Sequence, residues 1–290
     1  MSTQKVGKYT FFSYGFRGKF AHVSLVINLT HRLRMINMRR AETRNKDKTL
    51  SFLGWPVKRL RNLTAIFIFF SITAWGPFSF FAPTIKEPLG SRAWVDQETR
   101  SINLQAGNLN PLVLKLSLDA YLNARKRGLD QRQLITIIDY SKPSYEKRLW
   151  VVDLSKGKVL FHTWVTHGQN SGKLNATSFS NVPGSLKSSI GVFLTTGNPY
   201  VGGNGYSLRL QGLEPGINDN AYRRDIVFHG AWYATSATIR KYGQLGRSWG
   251  CPAVSDDTAR PLIDTIKNNT LVFAYFPDRH WLGHSLFLAG

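Results

Sequence analysis

The chain has 290 residues, 42% hydrophobic and 19% charged, a composition that excludes wholesale disorder and admits one large domain or two small ones with a real core. Its 38 Lys/Arg against 17 Asp/Glu give a formal charge of +21, the balance of a nucleic-acid binder, but the charge is unevenly placed. Residues 1–62 hold 14 Lys/Arg against Glu42 and Asp47, residues 63–82 hold no Lys, Arg, Asp or Glu, and the remainder carries 24 against 15, so membrane topology accounts for the charge better than nucleic acid, for which no motif is present.

In chain order, residues 1–62 show weak periodicity and define no element; they are expected to be cytoplasmic or dispensable, and Met35 or Met38 would each serve as an alternative start. The apolar run 63–82, opening on Leu63 and closing on Ala82, follows Lys58, Arg59 and Arg61. At ~1.5 Å per residue it would span about 30 Å, the thickness of a bilayer core. It is expected to be a single membrane helix, as an anchor or a signal sequence, with everything after it placed outside. No good small-residue cleavage site follows, which favours the anchor. Residues 83–109 read as a polar linker.

From Asn110 the pattern becomes that of a folded domain. Residues 111–129 place Leu112, Leu116, Ala120 and Leu122 near one face of a helix that Gly128 would stop. Short apolar runs then recur at 134–139, 149–154, 159–166, 190–196, 206–210, 225–228 and 271–276, with a hairpin turn at 155–157. Many short strands with a few helices predict a mainly β domain, a sandwich or partly closed barrel, over 110–276, with 277–290 as a tail. Two late helices are expected, one at 235–242 and one at 258–267 with Thr258 as N-cap and Pro261 in the first turn.

Cys251 is the single cysteine, in a turn bracketed by Gly250 and Pro252, and His229-Gly230 ends a strand signal 22 residues upstream. Exported thiols without disulfide partners are exposed to oxidation, so a lone one in tight-turn sequence suggests a nucleophile, with histidine as its base. Asp225, about 13 Å along a strand from His229, is too far to orient the imidazole, and a backbone carbonyl is the expected partner. Backbone N–H groups at Gly250 and Cys251 are the expected oxyanion donors. His167, in VTHGQNSG, also ends a strand at a His-Gly step and rivals His229 on pattern alone. With His162 it makes a poor metal pair, since residues five apart on a strand face opposite sides, and no carboxylate or second cysteine completes a set.

The segments Ile226-Val227-Phe228-His229-Gly230 and Gly246-Arg247-Ser248-Trp249-Gly250-Cys251-Pro252-Ala253 resemble the murein L,D-transpeptidase catalytic-domain branch of the YkuD-type cysteine transpeptidases. Similar stretches include Thr166-His167-Gly168, Phe179-Ser180-Asn181 and Ser188-Ser189-Ile190-Gly191. The resemblance covers roughly residues 110–276. It implies a β-rich transpeptidase fold, Cys251 as nucleophile, His229 as general base, Ser248 near the site, peptidoglycan stem peptides as substrate and no metal or organic cofactor. Trp249 stands where the commoner pattern has His, and Pro252-Ala253 where it has Arg; if that Arg holds the substrate, Arg224 or Arg247 is the candidate substitute, with a solvated surface position the alternative for either. Gly230, Trp249 and His167 are further candidates for lining the substrate cleft, support of a turn being the alternative for His167. The same site with water as acceptor would be an L,D-carboxypeptidase, and a non-catalytic basic wall-binding protein is the rival from another class.

Overall fold

The computed structural model describes residues 87–129 and 132–288. The segment 1–62 and the expected membrane crossing at 63–82 lie outside the described residues. Among the described residues no helix is long and apolar enough to cross a membrane.

Two stretches expected to lack structure carry helices. Within 83–109, α1 (Arg92–Asn103) begins where the Ser91 hydroxyl accepts the Trp94 N–H at 3.0 Å, a cap worth ~1 kcal/mol. Trp94, Glu98 and Ile102 recur every four residues and are buried, a stripe obscured in sequence by the charged positions between them. At the other end, α5 (Arg279–His284) buries Trp281, whose indole N–H donates to the Glu214 carboxylate at 3.0 Å, and Phe287 is buried beyond it. The supposed tail is therefore part of the core.

Helix α2 (Pro111–Lys126) starts at Asn110, whose side chain accepts the Leu112 N–H at 2.9 Å, and stops before Gly128 at φ +73°. Its buried face is Val113, Leu114, Ser117, Leu118, Tyr121 and Ala124, while Leu112 is exposed. Counting leucines therefore gave a face rotated from the true one, which Val113, Ser117, Tyr121 and Ala124 define at three- and four-residue spacing.

The strands form one nine-stranded sheet rather than a sandwich of two. They are β1 (Leu134–Asp139), β2 (Leu149–Asp153), β3 (Lys158–Thr163), β4 (Gly191–Thr195), β5 (Tyr200–Gly202), β6 (Gly205–Gly212), β7 (Val227–Gly230), β8 (Ala253–Val254) and β9 (Leu271–Tyr275). Their order is β3-β2-β1-β9-β4-β6-β7-β8, with β5 on β6; β1/β9 and β7/β8 are parallel and the rest antiparallel. Strands β1, β2 and β9 are buried at every residue, as their unbroken apolar runs require when both sheet faces are covered. Helix α2 packs against β1 and β9, and α4 (Asp256–Ile266) against β6 and β7.

The sheet curls until its two ends meet. Beyond β3 the chain runs on to donate from Thr166 N–H to Ala253 O at 2.9 Å, and Gly168 bridges Ser248 in parallel. The result is a nearly closed, barrel-like sheet whose seam lies beside Cys251. A Cβ at Gly168 would come within 2.5 Å of Leu186 O and 2.8 Å of Ser188 N, so only glycine lets the loop 186–188 lie against the chain at this seam.

The late helices are α3 (Ser236–Tyr242), with Thr235 as N-cap and Gly243 at φ +72° closing it, and α4. Helix α4 starts three residues earlier than expected. Ser255, the residue after β8, is its N-cap, so Pro261 falls in the interior and removes one ladder hydrogen bond there.

Candidate active site

Strand pairing brings the two key residues together. In the parallel β7/β8 pair His229 is opposite Ala253, so Cys251 lies two residues before the partner of His229. Strand β7, helix α3 and the loop after it carry the chain out and back to make this possible. Both side chains line one cleft of about 430 Å³ with Arg224, Tyr233, Ser248 and Trp249.

The His229 Nδ1 lies 2.7 Å from Gly230 O. A carbonyl can only accept, so Nδ1 carries the proton and the Nε2 lone pair is left to act as a base. The orienting group is thus a backbone carbonyl. Asp225 lies before β7 at φ +54°, its carboxylate paired with Arg209 and its carbonyl accepting from the Cys251 thiol at 3.5 Å. Burial holds the His229 pKa below its ordinary 6.5, against the Gly230 hydrogen bond and the Asp256 charge, which favour protonation. Gly230 is required beside it, because a Cβ there would come 2.5 Å from the Asp256 carboxylate.

Cys251 is free and 8% exposed. Burial raises its pKa above 9.0, opposed by a hydrogen bond from Val227 N–H and by the charge of Arg224. The resting pair is accordingly a neutral thiol and a neutral imidazole, with proton transfer left to the moment of attack.

Ser248 holds the turn that presents the thiol. Its hydroxyl donates to Cys251 O at 2.6 Å and accepts the Gly250 N–H at 3.1 Å, while its own N–H donates to His167 O at 3.0 Å. This corrects one expectation: the Gly250 N–H, a supposed oxyanion donor, is already spent inside the turn. The Cys251 N–H donates to no group among the described residues. Gly250 itself sits at φ +127°, and a Cβ would meet Lys187 O at 2.7 Å. Its carbonyl accepts from Ser188 Oγ at 3.1 Å, and that hydroxyl accepts the Gly168 N–H at 3.0 Å.

The remaining candidates separate by environment. His167 is fully buried, with Nδ1 2.8 Å from the Arg148 guanidinium and Nε2 3.3 Å from Gly172 O. The arginine can only donate and the carbonyl only accept, which makes His167 a neutral Nε2–H tautomer with both nitrogens engaged; burial, then Arg148, push its pKa down to about 4. It is a brace of the seam and does not line the cleft. Arg224 spends its guanidinium on the loop 180–189, donating to Ser180 O, Ser189 Oγ, Ser185 Oγ and Lys187 O, while its charge stays near Cys251. Arg247 borders the cleft and donates to Gln169 O and Gly172 O. Trp249 is 75% exposed on the rim.

Sequence reasoning missed Tyr233 and Arg148. Tyr233 lines the cleft and packs against Gly246, where a Cβ would come 2.6 Å from the tyrosine Cβ; burial, then the nearness of Cys251 and Asp256, raise its phenol pKa. Its position four residues after His229 was the available signal. Arg148 sits in an otherwise ordinary basic stretch, and nothing local marks it as buried.

A nearly closed, mainly β sheet thus sets a lone cysteine and a carbonyl-bonded histidine in one cleft. Residues 105–275 match the family model described as the L,D-transpeptidase catalytic domain, and the chain belongs to that family. Among solved structures it is similar to the L,D-transpeptidase from Mycobacterium smegmatis (12% identity over 50% of this chain and 59% of that one, TM-score 0.32). Others are Mycobacterium tuberculosis L,D-transpeptidase 1 (14%, 50% and 62%, 0.28) and the L,D-transpeptidase from Stackebrandtia nassauensis (13%, 69% and 99%, 0.31). The chain thus spans about three-fifths of the mycobacterial chains it matches. No curated protein matches it.

Proposed function

We propose that this protein is an envelope acyltransferase that remodels peptidoglycan through a thioester on Cys251. The observation that carries the reading is the His229 tautomer: with Nδ1–H held on Gly230 O, the Nε2 lone pair is left as the base in a cleft that Cys251 also lines. His229 takes the thiol proton as sulfur attacks the carbonyl of the L-to-D bond of a stem tetrapeptide. The same proton then goes to the departing amine of the terminal D-residue, leaving a thioester. An amine of a neighbouring stem attacks that thioester, gives its proton to His229, and the released thiolate recovers the proton. The Cys251 N–H is the donor that this reading assigns to the oxyanion. Ser248 acts as a positioning residue through the turn. Membrane attachment through residues 63–82, with the catalytic domain outside, completes the reading and accounts for the clustered basic charge before it.

Incubation of the full chain with disaccharide-tetrapeptide, followed by mass spectrometry of protein and products, tests this. With wild type the tetrapeptide is expected to release its terminal D-residue, leaving the remaining tripeptide acyl group as a Cys251 adduct, and then to yield cross-linked dimers, and Cys251→Ala is expected to give neither adduct nor dimer. An adduct of the same mass on Cys251→Ala would overturn the assignment. Tripeptide without dimer would make the enzyme an L,D-carboxypeptidase, and no adduct with retained binding to sacculi a wall-binding protein.

A further inference from the structure

A second groove of about 340 Å³ adjoins the Cys251 cleft and shares Tyr233 and Arg247 with it. Its other walls include Trp232, Tyr242, Gln169 and Gln244. Two large aromatic rings stand in solvent here, Trp232 at 72% exposure and Tyr242 at 60%. Folding gains little from an aromatic side chain left this exposed, so a pair beside a reactive cleft is informative in a way that a scattered apolar residue is not. The Trp232 ring is set edge-on against Tyr233 at 5.6 Å and 83°, which fixes its orientation before any ligand arrives. Lys241 covers one face of Tyr242 at 5.0 Å.

The chemistry of the lining narrows the occupant. Flat aromatic faces accept the C–H faces of pyranose rings, and side-chain amides such as Gln169 and Gln244 pair with hydroxyl and N-acetyl groups. No Asp or Glu lines the groove, which disfavours the cationic amine of a second stem peptide. Reach is also consistent: the attacked carbonyl belongs to the third stem residue, about 10 Å from the sugar at ~3.3–3.6 Å per residue. We propose that the groove of Trp232, Tyr242, Gln169 and Gln244 binds the N-acetylated glycan backbone of the wall polymer and so delivers the stem peptide to Cys251. The inference rests on the transpeptidase reading for its choice of polymer.

Calorimetric titration of the full chain with glycan strands stripped of their stem peptides, in parallel with sugar-free tetrapeptide, tests it. Wild type and Cys251→Ala are expected to bind the stripped strands with equal affinity. Trp232→Ala and Tyr242→Ala are expected to weaken that binding at least tenfold at an unchanged melting temperature, both side chains being largely outside the core. If either variant melts early, Gln244→Ala, at the same groove, is expected to weaken binding at least threefold. The proposal is overturned if wild type ignores stripped strands, if the correctly folded variants bind within twofold of wild type, or if only the sugar-free peptide titrates the groove variants differently. Failure of Cys251 to form a thioester, with strand binding intact, would instead remove the catalytic reading and leave the groove standing.

Discussion

Arg148→Met is expected to destabilise the catalytic domain by about 3–5 kcal/mol. The guanidinium is fully buried and donates twice to Val165 O, at 3.1 and 3.0 Å, once to Lys142 O at 2.7 Å and once to His167 Nδ1 at 2.8 Å. Methionine fills much of the volume but satisfies none of these acceptors, and each buried acceptor left unpaired costs about 1–3 kcal/mol. The stacking on Tyr140 at 5.2 Å adds roughly 1 kcal/mol. Against this total stands the relief of a buried cation, whose own desolvation holds the Arg148 pKa down to about 10. In a domain of this size the net loss corresponds to a drop of roughly 10 °C in Tm.

Urea unfolding of wild type and variant, repeated between pH 4 and 7.5, separates this mechanism from simple cavity formation. Burial and Arg148 lower the folded pKa of His167 from 6.5 to about 4, so between those values the unfolded chain binds the extra proton. Stability is therefore complete above pH 6.5 and is lost as pH falls towards 4. Removing Arg148 removes one cause of the depression, and the pH slope should shrink as overall stability falls. A loss below about 1 kcal/mol at pH 7, or an unchanged slope, would refute the reasoning.

Other outcomes follow from the site. Because His229 is depressed below 6.5 and Cys251 raised above 9.0, carbapenem acylation should increase as pH rises through the low His229 pKa and then stay level to about pH 8, whereas iodoacetamide alkylation should grow only above pH 9; an alkylation midpoint below 7 would mean a preformed ion pair. Ser248→Ala removes the hydroxyl that ties Gly250 N–H to Cys251 O, and should cost about 1–3 kcal/mol and slow acylation at least tenfold, measured by chemical denaturation and adduct formation. Gly250→Ala combines φ +127° with a 2.7 Å approach to Lys187 O and should cost about 3 kcal/mol or more, read as a fall in Tm; a wild-type melting curve would contradict the stated clash. His229→Gln should slow thioester formation ~100-fold or more while leaving Cys251 alkylation above pH 9 within a few fold.

The sequence singled out both candidate residues of the cleft because the signals that mark them are local. A single thiol in Ser-Trp-Gly-Cys-Pro and a strand ending in His-Gly mark both residues, and the same kind of local signal carried the short strands, the 155–157 hairpin, the stop of α2 at Gly128 and the span of α3. Partners that arrive from distant chain were illegible. His167 and His229 both sit in a His-Gly dipeptide, yet His167 lies in irregular chain beyond β3, clamped between Arg148 and Gly172 O, and His229 lies in β7 with only Nδ1 engaged among the described residues. Only the closing of the sheet sets Arg148 against His167, 19 residues on, and brings Ser188 Oγ to Gly250 O, 62 residues away. Composition also mistook α1 and α5 for linker and tail, because each anchors through one buried tryptophan, and burial is a property of what the rest of the chain brings to it. Which residues can react was written in the order of amino acids; which of them are free to do so was decided by packing, since hydrogen-bond partners and desolvation exist only between segments that folding has brought together.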